Sequence, residues 1–254
     1  MLRRLAQDLV EPYPVERSAA FKELIPDAQD PHGPAAFFQV VGLTYNPDTV
    51  KTPPTSWADL WRPEYKGRVG ITNMNSTLGT GFMVEVAKMH GGSESNIDPA
   101  FTAMEKLKPN LSAVAANPGA LATLFQQGQV DISPGNFNAI QILKAKGVPV
   151  EFVAPKEGAI AFKTLIQVVK NSPNRELAFK LIEAAISEPV QTRLMQAPYL
   201  VVPTNTRVKM TGEIARVLAK DTDDLKKKFV FQDWKAINAQ RPAWIERFNR
   251  EIKL

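Results

Sequence analysis

Between residues 67 and 153 the chain alternates strand-like and helix-like segments, with a turn-former at nearly every junction. That alternation constrains the fold more than any other feature. GRVGIT (67–72) is a short strand candidate, and NSTLGTGF (75–82) opens a helix whose Leu78, Phe82, Met83, Val86 and Met89 recur at helical spacing until Gly91 and Gly92 stop it. Asp98 is an expected N-cap with Pro99 at N1; Phe101, Met104 and Leu107 supply the buried stripe, and Pro109 lies just past the end. Asn117-Pro118 repeats that start, with Leu121, Leu124 and Phe125 apolar and Gly128 closing the helix. QVDIS then reads as a strand, PGN (134–136) as a turn, FNAIQILKAKG as a helix and VPVEFVA as a strand. Successive units of this kind predict an α/β fold.

The flanks read less regularly. FFQVVGLTYN (37–46) is apolar and β-rich, Pro53-Pro54 forbids both helix and central strand, and PKEG (155–158) interrupts before TLIQVVK (164–170) resumes as an expected strand. Asn174 heads an amphipathic helix with Ala178, Leu181, Ile182, Ala185 and Ile186 expected on its buried face. EPVQTRLMQ makes a short helix, YLVVPTN runs extended, and a last helix carries Trp244, Ile245, Phe248 and Ile252 on one side. At the start, Leu2, Leu5, Leu9 and Val10 fit a helix already under way. With 254 residues, 44% of them hydrophobic, the chain can build one large domain or two lobes of roughly 100 residues each.

Several classes of chemistry lack their residues. Cysteine is absent, which removes disulfides, thiolate metal sites and a cysteine nucleophile. No 18-residue apolar run exists, and MLRRLAQDLVEPYP lacks the apolar core of a signal peptide. The net charge of +5 is spread out; its dense run, Lys226-Lys227-Lys228, follows Asp221, Asp223 and Asp224, so a nucleic-acid surface is not expected. A phosphate-binding P-loop needs a lysine after its last glycine, and here Gly81 is followed by Phe82. Neither a dinucleotide glycine fingerprint, a nucleophile elbow nor a paired-histidine zinc motif occurs, and His32 and His90 are isolated. We therefore expect no catalytic residue, no metal site and no cofactor.

What remains is a set of helices whose first turns carry small polar residues: Ser76 and Thr77, Asn117, and Asn136 with Asn138. Exposed N–H groups and the positive dipole end make such turns anion sites, although each residue could equally serve as a plain cap. At Gly79-Thr80-Gly81 the glycines add a close backbone approach that capping does not require.

VVGLTYNPDTVK with TPPTSWADLWRPEYKGRV (40–69), LFQQGQVDIS (124–133), GVPVEFVAPKEGA (147–159) and NSPNRELAFKLIEAAISEPVQ (171–191) together resemble the bacterial extracellular solute-binding proteins of ABC importers, in the spermidine/putrescine and iron(III) branch. The resemblance implies a type II periplasmic-binding-protein fold: two α/β lobes joined by two crossover strands, FFQVVGLTYN and VAPKEGAIAF. Residues 1–47 and 159–254 would form lobe I and residues 48–158 lobe II. Family members usually begin with a further strand–helix–strand unit, so lobe I is expected to be incomplete. The implied activity is capture of a small solute by hinge closure in a periplasmic monomer, with a membrane permease as partner and no nucleic acid.

The resemblance also bears on the guest. Where the polyamine branch carries an aromatic and, two positions on, an aspartate, this chain has Phe162 and Thr164 with Lys163 between; a second ligand aromatic falls at Asn136. Tyr13, Tyr45, Tyr65 and Tyr199 are never adjacent, unlike the tyrosines of iron(III) members. We therefore expect a small organic anion, a carboxylate or a phosphonate or phosphate ester. Ser76, Thr77, Gly79 and Thr80 would grip the acid, Asn117, Asn136 and Asn138 would donate hydrogen bonds, and Phe162 would offer an apolar wall. Lys156 and Glu157 are expected to stabilise the crossover rather than to touch ligand. The alternatives are a polyamine-binding member of the family and the effector-sensing domain of a transcriptional regulator, although Pro12, Pro14, Pro26, Pro31 and Pro34 leave little room for a DNA-reading motif.

Overall fold

The computed structural model describes residues 9–252, so Leu2 and Leu5 of the expected first helix lie outside the described residues. In chain order the elements are α1 (Ala19–Lys22), β1 (Ala35–Tyr45), β2 (Val69–Thr72), α2 (Thr77–Met89), α3 (Asp98–Leu107), β3 (Leu111–Ala115), α4 (Pro118–Gln126), β4 (Ile132–Asn136), α5 (Phe137–Ala145) and β5 (Glu151–Val153). They continue with β6 (Ala159–Leu165), α6 (Arg175–Ala185), α7 (Glu188–Leu194), β7 (Val202–Pro203), α8 (Gly212–Val217), α9 (Thr222–Lys228), β8 (Phe229–Val230) and α10 (Trp234–Glu251).

The chain divides into two compact units. The first holds the chain up to Val40 with Ala161–Phe229; the second holds Val41–Ile160 with Val230–Leu254. The chain thus passes between units inside β1, inside β6 and a third time inside β8, whereas the sequence predicts two crossings and leaves residues 230–254 with the flanking segments. The reason is a set of side-chain anchors invisible in local sequence. Gln232 Nε2 donates to Gly81 O (2.8 Å) and Glu85 Oε1 (2.7 Å) on α2. From α10, Arg247 pairs with Asp98 and lies 4.0 Å over the Phe101 ring on α3. Asp98 is accordingly the first helical residue and an ion-pair partner; Ile97 occupies the cap position.

In the second unit the strand order is β3-β2-β4-β1, with β2 parallel to both β3 and β4. β1 runs antiparallel to β4, from Val41↔Asn136 to Tyr45↔Ile132, and residues 43–45 also pair with β5. All four residues of β2 are buried, as a parallel strand covered on both faces requires. Pro134-Gly135-Asn136, expected as a turn, completes β4 instead. β2 pairs with β4 only at Val69↔Ile132, so the missing proline N–H breaks no ladder on that side. Gly135 sits against Thr44: an added Cβ would lie 2.5 Å from Thr44 Cγ2. Here Pro and Gly mark close strand packing, not a reversal.

The TSWADLW and PKEG blocks clip this unit together. The Glu157 carboxylate accepts from the Ser56 hydroxyl and from Trp57 N (3.2 Å), capping the short 3-10 helix Trp57–Trp61. Trp57 Nε1 donates to Gly158 O (3.3 Å), and its ring lies 5.7 Å from Phe82.

In the first unit, β1 pairs with β7 (Phe37↔Pro203). The buried Gln191 of α7 donates to Ala36 O (2.7 Å) and accepts from Thr204 N (2.8 Å) and Asn205 N (2.9 Å), so one carboxamide satisfies three backbone groups. The strand expected over 164–170 is centred earlier, at Ala159–Leu165. On α6, Phe179, Ile182 and the following Ile186 point inward, while Leu181 is 66% exposed, contrary to its expected place on the buried face. The helix is rolled by Phe179, which packs edge-on against Tyr13 (5.9 Å).

Candidate functional site

Because β3, β2 and β4 are parallel and each is followed by a helix, the N-termini of α4, α2 and α5 fall on the carboxyl edge of one sheet. Ligands of open α/β sheets gather at such edges, where N–H groups point outward and helix dipoles present their positive ends. Asn73 N donates to Ala115 O (2.9 Å), tying the β2–α2 turn to the end of β3. Asn136, opposite Val41, ends β4 beside them.

The side chains at this edge divide into those already committed and those still available. Ser76 Oγ accepts from Gly79 N (2.9 Å) and donates to Thr72 Oγ1 (2.9 Å), so it is an N-cap. Gly79 lets the first turn of α2 lie against β2's end: a Cβ there would be 2.1 Å from Asn73 O and 2.6 Å from Thr72 O. Thr80 is fully buried; its hydroxyl donates to Met74 O (2.7 Å) and accepts from Arg241 Nε (3.0 Å). These three residues shape the turn, and their polar groups face the protein.

Thr77 is exposed, and among the described residues neither its hydroxyl nor its N–H nor that of Leu78 has a partner. Asn117 is exposed and caps α4 through Oδ1, which accepts from Ala120 N (2.9 Å), leaving its amide N–H groups available. Asn136 and Asn138 are half-buried, and the Asn136 side chain makes no capping bond. Seven of the eight expected residues thus gather on one edge. Phe162 belongs to the first unit, buried on β6.

One participant has no local sequence signal. Arg241 reaches the turn from α10, 161 positions after Thr80 in the chain, and its Nη2 donates to Asn75 O (2.8 Å) and Met74 O (3.3 Å). Its guanidinium carbon lies 5.9 Å from the Trp234 ring. Burial pushes the Arg241 pKa down, and no carboxylate among the described residues forms an ion pair with it. Residues 73–80, 116–120 and 136–140 contain no Asp or Glu, so the three helix starts bring no carboxylate of their own to the edge. Among the described residues no cluster of three His, Asp or Glu could hold a metal ion, and no helix is long and apolar enough to cross a membrane.

The chain is similar to the spermidine/putrescine-binding periplasmic protein of Escherichia coli (strain K12), with 29% identity over 181 residues that cover 68% of this chain and 50% of that one. It is 26% identical over 200 residues to a putative 2-aminoethylphosphonate-binding periplasmic protein of Salmonella typhi, covering 76% of this chain and 57% of the other. The chain therefore spans about half the length of these curated relatives. Among solved structures, an ABC transporter protein from Clostridium perfringens ATCC 13124 superposes with a TM-score of 0.82 at 25% identity, over 99% of this chain and 80% of that chain. The α/β architecture is thus shared with that solved structure. The sequence pattern of the bacterial extracellular solute-binding proteins matches residues 3–239, and the chain belongs to that family.

Proposed function

We propose that the chain is the solute-capturing component of an ABC importer and holds a small organic anion, a carboxylate or a phosphonate or phosphate ester, at the carboxyl edge of β3-β2-β4. The observation that carries this reading is that three helix starts share one edge with open N–H groups at Thr77 and Leu78 and no carboxylate. A dication would need acidic groups there to offset its desolvation, whereas an anion needs donors and positive dipole ends. In this reading Thr77, Asn117, Asn136 and Asn138 donate to the acid group, while Ser76, Gly79 and Thr80 hold the turn in shape. The aminoethylphosphonate-binding relative supports an acid guest. A polyamine is the second reading, favoured by the spermidine/putrescine-binding relative. A membrane permease as partner, a periplasmic location and a monomeric state complete the proposal.

The test is a thermal-shift and calorimetric panel of phosphonates, phosphate esters, carboxylates, putrescine and spermidine. Anions raise the melting temperature and polyamines do not. Thr77→Val leaves the ligand-free melt unchanged and weakens the best anion by about tenfold, the effect of one lost hydrogen bond to a charged group. Stabilisation by spermidine with no response to any anion would reverse the assignment.

A further inference from the structure

Arg241 is unlike the other arginines around it. Arg247 is neutralised by Glu251 (3.0 Å) and Asp98, and Arg68 faces Asp131 (3.6 Å), but among the described residues Arg241 spends its donors on neutral acceptors alone: the Thr80 hydroxyl and the carbonyls of Met74 and Asn75. A half-buried guanidinium normally needs a carboxylate to offset its lost hydration. Its position gives the missing counter-charge a place. The two carbonyls belong to the turn that leads directly into the open N–H groups of Thr77 and Leu78. Carbonyl oxygens beside an anion repel it; bound to a cation, they no longer do. The unneutralised charge then adds to the α2 dipole at the same edge.

We propose that Arg241 is a positioning and charge-selecting residue of the anion site, acting from behind the β2–α2 turn without touching the guest. The proposal rests on the anion reading of that edge. Arg241 holds Met74, Asn75 and Thr80 in register, so that the N–H groups of Thr77 and Leu78 stay directed outward. The bound anion in turn supplies the negative charge that no carboxylate among the described residues provides. The stack on Trp234 and the three polar contacts fix the guanidinium, which a more flexible ammonium would reproduce in charge but not in geometry.

The experiment compares the parent chain with Arg241→Gln and Arg241→Lys, measuring calorimetric affinity for 2-aminoethylphosphonate and for inorganic phosphate at low and high salt, alongside ligand-free melting. Arg241→Gln is expected to weaken anion binding about five- to tenfold and to flatten its salt dependence, because the screened interaction is gone. Arg241→Lys keeps the charge without the fork geometry and recovers part of the affinity, although it, too, melts earlier than the parent. Equal losses in both variants, in step with equal losses of melting temperature, would leave only a structural role and overturn the proposal. So would parent-like affinity in Arg241→Gln. A parent chain that binds neither of these anions nor any carboxylate or phosphate ester of the panel overturns the anion reading itself, and with it the role of Arg241; a binding parent with an indifferent Arg241→Gln overturns the role alone.

Discussion

Replacing Thr80 with valine tests the most connected point of the edge. The two side chains have nearly the same shape, so the change deletes a hydroxyl and little else. In the parent that hydroxyl donates to Met74 O at 2.7 Å and accepts from Arg241 Nε at 3.0 Å, in a position fully shielded from solvent. An unsatisfied buried polar group costs about 1–3 kcal/mol. Met74 O keeps the Arg241 Nη2 contact at 3.3 Å, and half-buried Arg241 can recruit water, so the expected loss is about 2 kcal/mol. For a chain of this size each kcal/mol moves the midpoint by about 2–4 °C, which puts the drop near 4–8 °C. Scanning calorimetry reads it directly. A double-mutant cycle with Arg241→Gln separates the bond from the background: once Arg241 is gone, Thr80→Val should cost about 1 kcal/mol less. A melting temperature within about 1 °C of the parent, or strictly additive losses, would refute the claim that this hydroxyl holds the turn.

Gly79→Ala ought to stabilise a helix by propensity alone, by about 1 kcal/mol. Here the sign should reverse, because the new methyl meets backbone oxygens of Asn73 and Thr72 that cannot yield; chemical denaturation should show a loss of about 3 kcal/mol or more, and a gain would contradict the close approach. In the first unit, burial works against ionising Glu183, but the Ser18 hydroxyl, Ala20 N (3.1 Å) and the Tyr13 hydroxyl (2.9 Å) outweigh it and hold the carboxyl below its usual range. A depressed carboxylate contributes stability above its ordinary pKa and loses it as the pH falls through the folded value. Melting should therefore decline below about pH 4.5, and Glu183→Gln should flatten that decline; an unchanged acid profile would count against the cluster.

The succession of βα units, the caps at Ser76 and Asn117, and the helix stops at Gly91, Gly128 and Gly147 were all legible in the sequence. Each depends on local geometry: hydroxyl or amide oxygens meeting N–H groups three residues on, and left-handed backbone that glycine alone adopts without cost. Parallel strands followed by helices then bring those caps to one edge. The direction of each polar group was not legible in the sequence. Thr80 and Thr77 lie three residues apart in the same motif, yet one hydroxyl is sealed against Arg241 and the other faces solvent. That difference is decided by α10, which packs onto α2 from the far end of the chain and carries residues 230–254 into the second unit. The same holds for Pro134-Gly135, which locally spell a turn but lie within β4 because Thr44 of β1 packs where a Gly135 side chain would be. Sequence alone determined the succession of segments over residues 67–153 and the caps at Ser76 and Asn117, since those rest on short-range bonds. Only the tertiary structure decided which donors remain for a guest, because packing between distant segments consumes some and spares the rest.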